Sequence, residues 1–174
     1  MKGILADLER ILAAVDAQGT GRLIEEIAGA RRVFMYGLGR SGLVARMFGM
    51  RLVHLGRAAT IVGDDTTPAI RSGDLLFQCS RTGQSPLLTH AVNLAHAEGA
   101  LVAAVVGDHE TPLAGEADLV VRLPLEAASS AVSQPMGSLF EQALHLYLDE
   151  VVLRLMERLE RTAEDMERIH SNLP

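Results

Sequence analysis

The sequence contains no tryptophan, and aromatic residues make up only 3% of its 174 positions. Its core must therefore be aliphatic, built from Leu, Val, Ile, Ala and Met. A single cysteine, Cys79, excludes an intrachain disulfide and points to a cytoplasmic protein. No segment carries the ~20 apolar residues that a membrane-crossing helix needs. The apolar stretch from Met1 to Val15 is broken by Asp7, Glu9 and Arg10 and does not read as a signal peptide. Basic charge is in deficit, with a formal net charge of −6. That argues against nucleic-acid binding through a basic surface. No H-x-x-x-H or C-x-x-C pair occurs, so no metal site is expected. Internal repeats and low-complexity stretches are also absent.

What remains is a regular alternation. Ile4, Leu5, Leu8, Ile11, Leu12 and Val15 recur at helical spacing, and a second helix is expected from Thr20 to Ala30. Five short apolar runs follow as strand candidates: Arg32–Tyr36, Ala58–Val62, Asp74–Cys79, Leu101–Val106 and Leu119–Arg122. Most are continuous rather than alternating, as parallel strands covered on both faces are. Helices are expected over Ser41–Leu55, Ser85–Glu98 and, after the loop Gly107-Asp108-His109-Glu110, Pro112–Glu116. The reading is one α/β domain over residues 1–174. It is a three-layer α/β/α sandwich with a five-stranded parallel sheet of flavodoxin-like order and extra N- and C-terminal helices. From Ser138 to about Arg161 the apolar positions cover most of a helix circumference. Such a helix is buried on most sides, by the N-terminal helix or by another subunit, so a homo-oligomer is expected.

Two loops carry the chemistry. Gly37-Leu38-Gly39-Arg40-Ser41-Gly42 follows the first strand, and Ser80-Arg81-Thr82-Gly83-Gln84-Ser85 follows the third. Each offers backbone N–H groups and small hydroxyls at a helix N-terminus, where the dipole favours an anion. In the order 2-1-3-4-5 they face each other across the switch-point crevice. Two such loops suit a ligand with a phosphate and several hydroxyls. Two other readings stay open. Gly37, Gly39 and Gly42 match G-x-G-x-x-G, with Asp64 about twenty residues on, as in dinucleotide binding. Alternatively, the glycines serve only turn geometry.

Glu141 is open to two readings. Ser138 and Glu141 form an S-x-x-E capping box, or Glu141 is a general base whose partial burial raises its pKa. His54 ends the first-loop helix, where its charged form would suit the dipole. His145 lies one turn beyond Glu141 and reads as a structural partner for it. His90, His96 and His109 show no ligand spacing. The charged stretch Glu157–Arg168, just before His170, reads as a solvated helix surface. Cys79 reads as a small core residue.

Together these segments resemble a known family. Tyr36-Gly37-Leu38-Gly39-Arg40-Ser41-Gly42-Leu43-Val44-Ala45, with Met50-Arg51-Leu52-Val53-His54-Leu55-Gly56, resembles the first motif of the 6-phospho-3-hexuloisomerases of the sugar isomerase (SIS) domain family. Thr67-Pro68-Ala69-Ile70, then Gly73-Asp74-Leu75-Leu76, is similar to the family's approach to its second loop. Pro135-Met136-Gly137-Ser138-Leu139-Phe140-Glu141-Gln142-Ala143-Leu144 resembles its catalytic helix start, and Met166-Glu167-Arg168-Ile169-His170-Ser171-Asn172-Leu173 its ending. The last two separate this branch from SIS regulators and arabinose-5-phosphate isomerases. There are departures. The family's second loop is usually Ser-Gly-Ser-Gly-Glu-Thr. Here Ser80, Thr82 and Ser85 keep the hydroxyls, while Arg81 replaces a small residue and either adds a cation or crowds the loop. Ile169 replaces an arginine before the tail histidine.

The resemblance implies interconversion of D-arabino-3-hexulose 6-phosphate and D-fructose 6-phosphate through an enediolate, in the ribulose monophosphate route of formaldehyde fixation. It needs no metal and no redox cofactor. The implied catalytic residues are Glu141 as base and His170, reaching in from a neighbouring subunit of a tetramer. The implied substrate-binding residues are Gly39, Arg40, Ser41, Gly42, Arg51, Ser80, Arg81, Thr82, Gly83 and Ser85. Gly42 and Gly83 would allow close approach of the backbone to the ligand, and Arg51 would support the sugar. The competing functions are a non-catalytic SIS module that binds a sugar phosphate as a signal, and an isomerase for another phosphosugar such as arabinose 5-phosphate.

Overall fold

In a computed structural model that describes residues 1–107, 110–129 and 134–173, five parallel strands form one sheet in the order β2-β1-β3-β4-β5. The strands are β1 (Val33–Gly37), β2 (Ala59–Ile61), β3 (Leu75–Ser80), β4 (Leu101–Val106) and β5 (Leu119–Arg122). Val33 pairs with Ala59 on one side and with Leu75 on the other, so β1 and β3 are neighbours at the centre. The helices are α1 (Lys2–Ala13), α2 (Ala17–Gly29), α3 (Gly39–His54), α4 (Pro86–Ala97), α5 (Pro112–Glu116), α6 (Ser138–Arg158) and α7 (Ala163–Ile169). The three-layer architecture and the flavodoxin-like order are those expected from the sequence.

Strand residues alternate between two cores, as the pleat requires. Met35, Leu75, Phe77, Cys79 and Val105 point to one face, against α1, α2, α3 and α6; Phe34, Leu76, Val102, Ala104 and Val106 point to the other, against α4 and α5. Because both faces are covered, β3 and β4 are buried over most of their length, β4 wholly apolar and β3 broken only by the buried Gln78 before its terminal Ser80. Phe48 of α3 and Phe77 of β3 meet with ring centroids 5.4 Å apart. Fully burying one such side chain stabilises by about 1.5–3 kcal/mol. Cys79 is buried in this core, which pushes its thiol pKa up and leaves it unsuited to nucleophilic work.

Helix boundaries follow local chemistry. Asp16 caps α2 by accepting from the amides of Gln18 (3.0 Å) and Gly19 (2.8 Å), so α2 begins three residues before the expected Thr20. The helix expected from Ser138 to about Arg161 is present and ends three residues earlier, and a further short helix follows it. α6 stops at Arg158, Glu160 adopts φ +52°, and Thr162 and Asp165 form a capping box that opens α7. α1 and α2 cover much of the apolar circumference of α6 within the same chain: Tyr147 of α6 donates to the Thr20 hydroxyl of α2 at 3.2 Å. Leu146 and Leu153 of α6 stay exposed, as do Leu43, Met47, Met50 and Val53 of α3.

A buried carboxylate ties the sheet's N-terminal edge. Arg31 and Arg32 both donate to Asp74, and the Arg71 amide adds a third donor at 2.9 Å. Burial alone would raise the Asp74 pKa, but hydrogen bonds from Arg32, the Arg71 amide and Arg31 outweigh it and hold the carboxyl below its usual value. On α1, Asp7 accepts from both the amide and the hydroxyl of Ser129, which fixes the segment after β5 to the N-terminal helix. Among the described residues, no helix is long and apolar enough to cross a membrane.

Candidate active site

The carboxyl ends of β1 and β3 open into a cleft of about 540 Å³. The first loop lines it with Gly39, Arg40 and Ser41, the second with Ser80, Arg81, Thr82 and Ser85, and the start of α6 closes it with Ser138 and Glu141. The two hydroxyl-bearing loops thus face each other at the switch point, as the strand order implies, and the structure adds Glu141 to the same space.

Close packing of backbone shapes the loops. A Cβ on Gly42 would stand 2.4 Å from the Gly37 carbonyl oxygen, so α3 leaves β1 with no room for a side chain between them. Gly83 has φ +59°, and a Cβ there would stand 2.4 Å from the Thr111 hydroxyl. At both positions the atom a Cβ would meet belongs to another part of the chain, and neither glycine is among the residues that line the cleft. Gly39, with φ +57° and open space around it, remains on the cleft wall. In the second loop the Ser80 hydroxyl oxygen accepts from the Gly83 amide at 3.0 Å, which leaves its O–H free to donate into the cleft. Ser85 is the N-cap residue of α4, yet its side chain makes no capping bond.

Glu141 is buried and lies in the first turn of α6. The Arg40 Nε–H donates to its Oε2, an ion pair that spans 101 residues of sequence. The expected Ser138–Glu141 capping box does not form. Gly137, with φ +87°, occupies the N-cap position, and the Ser138 hydroxyl donates to the Pro135 carbonyl at 2.9 Å instead. Glu141 is therefore not engaged in tying off its own helix. Arg81 lies over the same turn: a Cβ on Gly137 would meet its Nε at 2.7 Å. Met136 just before adopts φ +54° with its side chain almost wholly exposed.

His170 and Arg51 do not line this cleft within one chain. They border a second hollow, of about 290 Å³, with His54, His145 and Asp149. There the Arg51 guanidinium lies 3.4 Å from the His54 Nδ1, and His145 sits 3.7 Å from Asp149 rather than against Glu141. His54 is buried, and burial first, then the charges of His170 and Arg51, lowers its pKa. Burial and the neighbouring charges thus disfavour the charged form that the helix end alone would suit. Asp64, the acid of the dinucleotide reading, is engaged by Arg46 at 2.8 Å. Among the described residues, no group of three or more His, Cys, Asp or Glu is placed to hold a metal ion. His109 lies outside the described residues.

The sequence reading missed the Arg40–Glu141 pair, which no local signal announces. It also missed Met136, Gly137 and Ser138 as cleft residues. The run Pro135-Met136-Gly137 was visible, but its two consecutive positive φ angles were not.

A family model described as SIS domain matches residues 26–146. The chain is 38% identical over 175 residues to the 3-hexulose-6-phosphate isomerase of Bacillus subtilis, covering 98% of this chain and 95% of that one. It is 40% identical over 165 residues to the 3-hexulose-6-phosphate isomerase of Mycobacterium gastri, covering 92% and 83%. Among solved structures, a Methanococcus jannaschii protein superposes with a TM-score of 0.86 at 28% identity, covering 99% and 98% of the two chains; its structure was reported to infer a molecular function of 3-hexulose-6-phosphate isomerase.

Proposed function

Because this chain belongs to the SIS domain family, we propose that it is an isomerase that interconverts D-arabino-3-hexulose 6-phosphate and D-fructose 6-phosphate. The observation that carries the reading is the meeting of two hydroxyl-bearing loops and one buried carboxylate in a single cleft. The first supplies an anion cradle and the second a proton acceptor.

The reaction moves a carbonyl from C3 to C2. A base removes the C2 proton of the 3-ketose, the electrons form a C2–C3 enediolate, and a proton is returned to C3. Glu141 is the base, a role open to it because its carboxylate is not spent on capping α6. Ser41, Ser80, Thr82 and Ser85 hold the phosphate between the starts of α3 and α4, where the helix dipoles add to the hydroxyls. Arg40 and Arg81 supply the positive charge of the cleft, which the phosphate and the developing oxyanion both need.

His170 assists ring opening or oxygen protonation in the cleft of a neighbouring subunit, and Arg51 accompanies it. Their separation from Glu141 within one chain supports this reading. So does the exposed apolar row Leu43, Met47 and Met50 on α3, the helix that carries Arg51 and His54 at its far end. The assembly is a homotetramer, working in the cytoplasm.

A coupled assay tests the function. 3-Hexulose 6-phosphate is made in place from ribulose 5-phosphate, formaldehyde and a purified synthase, and fructose 6-phosphate is followed. Turnover that scales with this protein is expected. Absence of turnover, with fructose 6-phosphate still raising the melting temperature, would overturn it in favour of a binding module or a different phosphosugar.

A further inference from the structure

Arg40 is the second residue of α3, and its side chain is 68% exposed while the Glu141 side chain it holds is 11% exposed. Its guanidinium thus has freedom to swing, whereas the carboxylate does not. The same cleft wall carries Ser41, Ser80, Thr82 and Ser85, the hydroxyls read above as the phosphate cradle. A substrate phosphate brings about −1.5 to −2 charges into this space. Guanidinium binds phosphate through paired N–H donors, a stronger contact than one Nε–H to a carboxylate. One mobile cation therefore faces two anions. The other arginine of the cleft is hemmed in, because the Arg81 side chain rests on the backbone of Gly137, within 2.7 Å of where a Cβ would stand.

We propose that Arg40 makes the reaction specific for phosphorylated sugars: it occupies Glu141 before substrate binds and transfers to the phosphate when it does, releasing the carboxylate to act as base. The inference rests on the isomerase reading and deepens it. A carboxylate oxygen that accepts from a guanidinium has its charge compensated and a lone pair occupied, so it is a poor proton acceptor until that donor leaves. A sugar without phosphate would fill the cleft without freeing the base.

The test uses the full chain labelled uniformly with nitrogen-15, so that arginine Nε–H groups and backbone amides are both read. In the unliganded protein, Glu141→Gln should shift the Arg40 Nε–H resonance. Saturation with fructose 6-phosphate should move that resonance in both proteins to a common position, because Arg40 has then left residue 141. Unphosphorylated fructose should leave it where it was. Glu141→Gln should also bind fructose 6-phosphate about fivefold more tightly, the size of a half-exposed ion pair no longer broken on binding. An Arg40 resonance that stays put while the amides of Thr82 and Gly83 respond to fructose 6-phosphate would overturn the transfer alone. Failure of those amides to respond at all would remove the phosphate cradle, and the transfer with it. The movement in the unsubstituted protein needs no variant, so a Glu141→Gln chain that failed to fold would leave the decisive observation in place.

Discussion

The imidazole of His170, near the C-terminus, lies against that of His54 at the end of α3, with ring centroids 5.0 Å apart and planes inclined by 34°. The Arg51 guanidinium also reaches His54, 3.4 Å from its Nδ1. Protonating His54 places a buried charge beside a guanidinium and a second imidazole, which is why its pKa is lowered by burial, His170 and Arg51 in that order.

A pH dependence of stability follows. The unfolded chain binds a proton at His54 near pH 6.5, the ordinary imidazole value, and the folded chain only at lower pH. Between those values the unfolded state holds more protons, so stability rises with pH. The contribution of His54 is fully present above the ordinary imidazole value and is lost as pH falls below it. Melting temperatures across pH 5 to 8 should decline toward the acid end. His54→Gln should flatten that slope, and an unchanged slope in the variant would contradict the assignment.

What could be read from the sequence divides along physical lines. The five strands and their order were legible because short apolar runs between helices admit few parallel topologies, and the two loops because glycine and hydroxyl residues cluster in them. The ends of elements were less so. The Asp16 cap has no sequence signal beyond the residue itself, and Thr162 and Asp165, within a charged stretch that reads as solvated surface, form a capping box of the type that the spacing of Ser138 and Glu141 suggests. That Ser138 box failed because Gly137 is left-handed, a conformation that spacing does not encode. The Arg40–Glu141 and His54–His170 contacts join positions more than 100 residues apart, and only the folded topology brings such pairs together.

Gly42→Ala tests the packing of the first loop. Its Cβ would stand 2.4 Å from the Gly37 carbonyl oxygen, a backbone atom that cannot swing aside. Relief requires α3 to move away from β1, at a cost of about 1–3 kcal/mol. Arg40 and Ser41 would move with the helix. Chemical denaturation should show the destabilisation, and turnover should fall with it. Gly39→Ala, where a Cβ meets nothing within 4 Å but φ is +57°, should cost less, about 1–2 kcal/mol.

Sharing of the site between subunits is open to a mixing experiment. The Glu141→Gln and His170→Ala chains should each be inactive or nearly so. If the proposed shared site is right, unfolding and refolding them together creates interfaces at which an intact Glu141 cleft meets an intact His170. Part of the activity should return. If mixtures stay as inactive as their parents, His170 does not act across an interface.

The central claim is that Glu141 moves a carbon-bound proton through an enediolate. Its most direct test is exchange in deuterium oxide with fructose 6-phosphate alone, read by mass spectrometry and proton NMR. The unsubstituted protein should replace the C3 hydrogen with deuterium, and Glu141→Gln should do so about 10²–10⁴ times more slowly with its melting temperature little changed. Exchange in Glu141→Gln as fast as in the unsubstituted protein would contradict the account.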